Sequence, residues 1–327
     1  MLKIQKMTNN YIRKASDLVS TKESQRNGFL EYALRKSKES IPYLDKAKSL
    51  KLILEQYTKK PKDILKLKEE KVACYQAAGV SIKAKHYLTE EDLNSILLEF
   101  IKEFLEPAGA QYIEELIYRY LLTLGDSLGG RMRNLVGSMA NEKLTRFIIS
   151  QIQISNLDFD FYIKSTKTWL TSESYSINIV PEIRSIRWKL KNGSQRQIIY
   201  NLTVPIVKKN IDLVMLNCHC HKLSGSEFKK NIGNPKNYKV LGELKGGIDP
   251  SGADEHWKTA NTALSRVRDS FNKREIQIPL IFIGAAIETS MSKEIFNQYS
   301  TGELANCANL TIEKQLINLC KWLVKLK

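Results

Sequence analysis

Through most of residues 1–110, apolar residues recur at three- and four-residue spacing, in 28–37, 45–57 and 91–105, and this spacing predicts amphipathic helices. Helix punctuation separates them: Pro42 and Pro61 interrupt the pattern, and Pro107-Ala108-Gly109 marks a break. Ser81 and the run Thr89-Glu90-Glu91-Asp92 read as N-caps. An apolar helix is predicted over 111–124, a tight turn at Gly125–Gly130, and a second long helix over about 131–152. After Asp158 the segments become short and rich in Ile, Val, Tyr and Trp, bounded by Asn-Gly and Asn/Gly/Pro clusters, as strands and hairpins are. Strands are expected at 185–190, 197–204, 211–218, 238–244 and 279–287, a helix at about 254–271, and closing helices after Met291. The layout is a helical region over 1–110 followed by an α/β domain over 111–327.

Composition narrows the class. A chain of 327 residues, 43% hydrophobic and 26% charged, with 16 Gly and 8 Pro, buries a core and carries no long low-complexity tract. No stretch approaches the roughly 18 apolar residues of a membrane span, and the start MLKIQKMTNNYIRK lacks an export signal's apolar core. A soluble cytoplasmic protein without membrane association is expected. Five cysteines without metal-finger spacing fit reduced thiols rather than a disulfide framework. The charge is more informative: 51 Lys+Arg against 35 Asp+Glu leaves +16, and the excess is +7 in residues 1–100 and +9 in the remainder. Excess spread in this way suits a folded surface that grips a polyanion, with nucleic acid the leading partner.

Asp212 stands inside the apolar run Asn210-Ile-Asp-Leu-Val-Met-Leu-Asn217, where period-two alternation puts it on one face with Val214 and Leu216. In Leu241-Gly-Glu-Leu-Lys-Gly-Gly247, Glu243 and Lys245 share a face, and the glycines let backbone or ligand approach closely. If the two strands are neighbours, these three side chains converge at one sheet end. Two carboxylates beside a lysine suit Mg2+-assisted phosphodiester hydrolysis: hard oxygen ligands for the ion, and an ammonium to orient water or offset developing charge. Spacing alone is equally compatible with two solvent-facing strand ends joined by an ion pair.

The segment that follows bears on this choice. The run LGELKGGIDPSGADEHWKTANTALSR, with LTVPIVKKNID, GDSLGGRMRN, IFIGAAIE and KAKHYLTEED, closely resembles the AvaI/BsoBI family of type II restriction endonucleases, in unchanged order from about Gly28 to the C-terminal helices. The resemblance implies an α/β, restriction-endonuclease-like catalytic core of the PD-(D/E)xK type, a mixed central sheet flanked by helices, plus an N-terminal helical domain that helps surround the duplex. It implies a homodimeric, Mg2+-dependent enzyme cutting double-stranded DNA at CYCGRG after the first C and leaving 5′ overhangs. Asp212, Glu243 and Lys245 take the catalytic positions, Asp212 and Glu243 as metal ligands. The wider signature's proline before the first Asp is absent here, where Ile211 stands.

His256 matches a family histidine placed near the attacking water, in the first turn of a helix capped near Asp254; it could instead bind phosphate or pack beside Trp257. Lys83, Lys209 and Asp249 match positions associated with base reading. A lysine donating only to N7 would accept either purine, which suits Lys83 at a degenerate position, and Asp249 could accept from a cytosine amino group. Lys208, Arg131, Arg133, Arg266 and Arg268 are phosphate-contact candidates, or plain surface charge. Cys218-His-Cys-His221 reads as a strand end rather than a zinc site, and Glu114 and Glu115 as surface carboxylates that could add an outer metal ligand. A companion DNA methyltransferase is expected with such an enzyme. The reading from another class is a DNA-binding protein without catalysis; it explains the charge but not why Asp212, Glu243 and Lys245 occur together.

Overall fold

The computed structural model describes residues 8–326, the side chain of Arg133 excepted. Eight strands pair into one mixed sheet: β1 (Phe159–Ile163), β2 (Thr168–Thr171), β3 (Ile183–Lys189), β4 (Gln195–Val204), β5 (Lys209–Leu216), β6 (Tyr238–Lys245), β7 (Leu280–Gly284) and β8 (Asn306–Asn309). Their order is β2-β1-β3-β4-β5-β6-β7-β8, antiparallel from β2 to β6 and parallel from β6 to β8. The five expected strands are all present, within a few residues of their expected ends, while β1, β2 and β8 are additions.

Eight α-helices accompany the sheet: α1 (Lys22–Tyr57), α2 (Lys71–Ala77), α3 (Glu90–Phe100), α4 (Tyr112–Ile154), α5 (Gly225–Gly233), α6 (Ala253–Asn272), α7 (Thr289–Thr301) and α8 (Glu313–Lys325). None is long and apolar enough to cross a membrane. The chain divides into two compact units, one from Leu30 to Leu135 and one comprising the described residues up to Phe29 together with those from Val136 onward.

The Leu30–Leu135 unit has its own apolar core, including Leu50, Leu54, Ile64, Leu93, Leu97 and Leu116. Thr89 caps α3 as its sequence predicts, accepting from the Asp92 N–H at 3.2 Å while Asp92 returns a bond to the Thr89 N–H. Two expected interruptions do not occur. Helix α1 runs through Pro42, whose missing N–H would have served the carbonyl of Lys38, an exposed residue that water can serve instead. Helix α4 runs through Gly125, Gly129 and Gly130 in place of the predicted turn, because Leu124, Leu128 and Met132 keep burying one stripe at four-residue spacing.

In the other unit both sheet faces are covered. Helix α6 buries Ala253, Trp257, Ala260, Leu264, Val267 and Phe271 on one face, at the three- and four-residue spacing that announced it, joined there by residues of α5 and α7. On the opposite face lie Ala140, Leu144, Ile148 and Ile152 of α4 and Leu316, Leu319 and Leu323 of α8. The segment before α1 is tied in by buried polar side chains. Asn9 Nδ2 donates to Cys307 O and Gln315 O, and Asn309 Nδ2 to Leu18 O. Ser20 Oγ donates to Ala285 O at 2.8 Å and accepts from the Ile287 N–H and from Asn309 Nδ2, each at 2.9 Å. Ser20→Ala takes the buried partner from the Ile287 N–H and the Ala285 carbonyl and leaves Asn309 Nδ2 with Leu18 O alone, so chemical denaturation should show a loss of about 1–3 kcal/mol. An unchanged midpoint would show that the segment contributes little.

Candidate active site

β5 enters the sheet and β6 leaves it at the same end, so Asp212, near the start of one, meets Glu243 and Lys245, at the end of the other. The β5–β6 ladder stops at the pair Leu213–Gly242. Beyond it, the Leu244 N–H donates to Asp212 Oδ2 at 2.9 Å, so a carboxylate takes the place of a main-chain acceptor. Ile211 packs in the same cluster as Val214 and Leu216, so strict alternation is lost between Ile211 and Leu213, and the Asp212 carboxylate reaches the main chain of β6. Opposite, β4 breaks its own regularity at Asn201, whose φ is +51°.

Lys245 Nζ ties the cluster together, donating to Glu243 Oε2 at 2.7 Å and to Asp212 Oδ2 at 3.2 Å. Glu243 is 4% exposed, and its second oxygen, Oε1, is buried without a hydrogen-bond partner. Burial, and then the neighbouring Asp212 carboxylate, push Glu243 up to about 7. Burial works against the ammonium of Lys245, but the Glu243 and Asp212 carboxylates outweigh it and raise it above its usual value. The alternative of two solvent-facing strand ends is thereby ruled out: this is a part-buried cluster with unmet acceptor capacity.

The glycines after Lys245 hold the neighbourhood together. A Cβ on Gly246 would stand 2.6 Å from both Val136 O and the Ala140 side chain, so only glycine lets α4 approach the strand end so closely. A Cβ on Gly247 would stand 2.8 Å from His256 Nε2, which places the imidazole directly over that main chain. His256 is exposed in the first turn of α6, while Trp257 is buried, stacks edge-on against Phe282 and donates to Glu294 Oε2. Packing beside Trp257 is thus excluded for His256. The cap lies near Asp254 as expected: Gly252 holds the N-cap position without a side-chain bond, and Asp254 lies inside the first turn paired to Lys258.

Asp249 is exposed and accepts from the Ser251 N–H at 2.9 Å, which holds its carboxylate below the usual range. Lys208 and Lys209 are exposed at the β4–β5 hairpin, at the same end of the sheet as Asp212 and Glu243. Lys83 belongs to the Leu30–Leu135 unit, exposed beside a short 3-10 turn whose Ala84 N–H donates to Ser81 Oγ. In that unit Glu114 pairs with Lys51, Glu115 with Arg119, and Arg131 with Glu39, so both glutamates have surface ion-pair partners. Arg268 pairs with Glu303. The chain leaves β5 before Cys218, and His219 Nε2 lies against the carbonyls of Trp188 and Arg196. No three His, Cys, Asp or Glu residues among those described come together as a metal-binding group.

A family model described as restriction endonuclease BsobI matches residues 8–326. The chain belongs to this restriction endonuclease family. It is 44% identical over 325 residues to the type II restriction enzyme BsoBI of Geobacillus stearothermophilus, covering 98% of this chain and 99% of that protein. It is 43% identical over 317 residues to the type II restriction enzyme AvaI of Nostoc sp. and to that of Anabaena variabilis, covering 97% of this chain and 98% of each. Family membership makes this chain an enzyme, a nuclease of the type II restriction class. Such enzymes act on double-stranded DNA and generally need divalent metal ions.

Proposed function

We propose that the chain is a homodimeric, Mg2+-dependent restriction endonuclease with a PD-(D/E)xK-type core, cutting double-stranded DNA at C/YCGRG to leave 5′ overhangs. The observation that carries the chemistry is the meeting of Asp212, Glu243 and Lys245, with Glu243 Oε1 buried and unpartnered. Two carboxylates without histidine or cysteine fit Mg2+, which binds through one or two carboxylates and keeps several waters, better than they fit zinc. Asp212 and Glu243 would hold the ion, which when bound supplies positive charge against the phosphate and acidifies water.

The side chains do the rest. Lys245, held charged by its two carboxylates, donates a proton-bearing contact to phosphate oxygen as negative charge develops. His256, exposed above Gly247, is positioned to take a proton from attacking water or to hold the phosphate. Lys83, Lys209 and Asp249 read base edges, and Lys208 grips backbone phosphate. A palindromic site matches a C2 dimer in symmetry, so each subunit cuts one strand. The enzyme works in the cytoplasm, beside a methyltransferase that shields the host's own sites.

Digestion of a fully sequenced plasmid tests this, with every fragment end sequenced and an EDTA control. Mg2+-dependent ends with 5′ overhangs at each CYCGRG are expected. Cuts at another palindrome would retire the roles of Lys83 and Asp249. Tight, salt-sensitive binding without any cutting would make this a DNA-binding protein instead.

A further inference from the structure

The β1–β2 hairpin, at the same sheet end as Asp212 and Glu243, is built like the β4–β5 hairpin. Each has a four-residue loop, 164–167 in one and 205–208 in the other, between strand residues that pair as Ile163–Thr168 and Val204–Lys209. Each closes with the N–H of its last loop residue on the carbonyl four positions earlier: Lys167 on Ile163 O at 2.9 Å and Lys208 on Val204 O at 2.8 Å. Each places that residue in the left-handed region, Lys167 at φ +57° and Lys208 at φ +56°. Glycine or asparagine would occupy such a position without the cost that a lysine incurs. Both hairpins carry a lysine there nonetheless, and both lysines are exposed.

Behind Lys167 lies a cleft of about 350 Å³, lined by Tyr162, Lys164, Lys167, Arg184 and Ser224 among others. Lys164 is engaged, donating to Pro181 O and pairing with Glu182. Arg184 is half-buried and donates only to the carbonyl of Asn201, in the stretch of β4 between the residues paired with Leu213 and Ile211. Among the described residues neither Arg184 nor Lys167 has a carboxylate partner. A half-buried guanidinium and an exposed ammonium at the mouth of one cleft, both without counter-charge, make a site for a phosphate oxyanion.

We infer that Lys167 and Arg184 form a second phosphate-binding site on the catalytic unit, taking the DNA backbone about four base pairs from the cut. This rests on the reading of the chain as a DNA-cutting enzyme. For a duplex laid across the strand ends the spacing is set by the sheet: β1 lies three strand positions from β5, about 14 Å, and a duplex advances about 3.4 Å per base pair.

The test uses the full chain and a duplex containing one CYCGRG site, held in EDTA so that nothing is cut. Lys167→Gly relieves the left-handed lysine, so its melting temperature should equal or exceed that of the parent. Its affinity should fall, and the slope of log K against log salt should shrink by about 1. Arg184→Gln should weaken the same contact, and phosphate-ethylation interference about four base pairs from the cut should disappear in both variants. An unchanged salt slope and interference pattern in Lys167→Gly, with parental cleavage intact, overturns this site alone. Absence of salt-dependent DNA binding by the parent chain overturns the nuclease reading and this site with it.

Discussion

Replacing Glu243 with glutamine is expected to lower DNA cleavage by about 10³-fold or more under single-turnover conditions, while DNA binding in EDTA survives. Glutamine keeps the size of the side chain but removes the charge that would hold the metal and that accepts from Lys245 at 2.7 Å. Substantial residual cleavage would remove Glu243 from the metal site. The same substitution should make the metal-free protein more stable at alkaline pH. Because the folded value of Glu243, about 7, lies above its ordinary 4.5, folding favours the protonated form. Stability associated with this group is therefore full below about pH 4.5, declines as pH rises towards 7, and stays low above it. Denaturation should show Glu243→Gln ahead by roughly 1–3 kcal/mol at pH 8, the gain offset in part by the lost Lys245 pair, with little difference at pH 4. A variant less stable than the parent at pH 8 would mean that the ion pair outweighs burial.

Gly246→Ala is expected to cost at least about 1–3 kcal/mol and most of the cleavage activity, although alanine carries no charge and a single methyl group. Its Cβ would stand 2.6 Å from a main-chain carbonyl of α4, and main chain cannot swing aside as a long side chain can. Relief requires the strand end bearing Lys245 to part from the helix. Thermal melting and single-turnover cleavage together check this. A variant with parental melting and activity would show that α4 yields without consequence.

Much of the catalytic unit is legible in the sequence because its elements carry strong periodic signals. Helix α6 repeats buried positions from Ala253 to Phe271, and β4 to β7 are rich in Ile, Val and Leu. β8 escapes because Asn306-Cys-Ala-Asn309 has no β-branched residue; it is a strand through its parallel pairing with β7. Pro42 and the glycines of 125–130 mislead for the opposite reason, since local propensity is outweighed over helices of 36 and 43 residues. At the site, the types Asp212, Glu243 and Lys245 are readable, but their meeting depends on β5 and β6 being neighbours, which spacing leaves open. The bond from the Leu244 N–H to Asp212 depends on where a ladder stops and has no sequence signal. Lys167 is invisible for a simpler reason: one lysine in a polar turn looks like any other until its backbone conformation is known.

The polar stitching around Ser20 and Asn9 bears on when this enzyme becomes dangerous to its own cell. Residues early in the unit that carries the sheet bond to partners at positions 285, 287, 307, 309 and 315, between 265 and 306 residues later. On the ribosome, the Leu30–Leu135 unit has all its own core residues early, but the nuclease unit lacks partners for Asn9 and Ser20 until translation has passed β8. A polypeptide that stops before β8 is left with this unit unfinished, so its completion waits on residues 306–315.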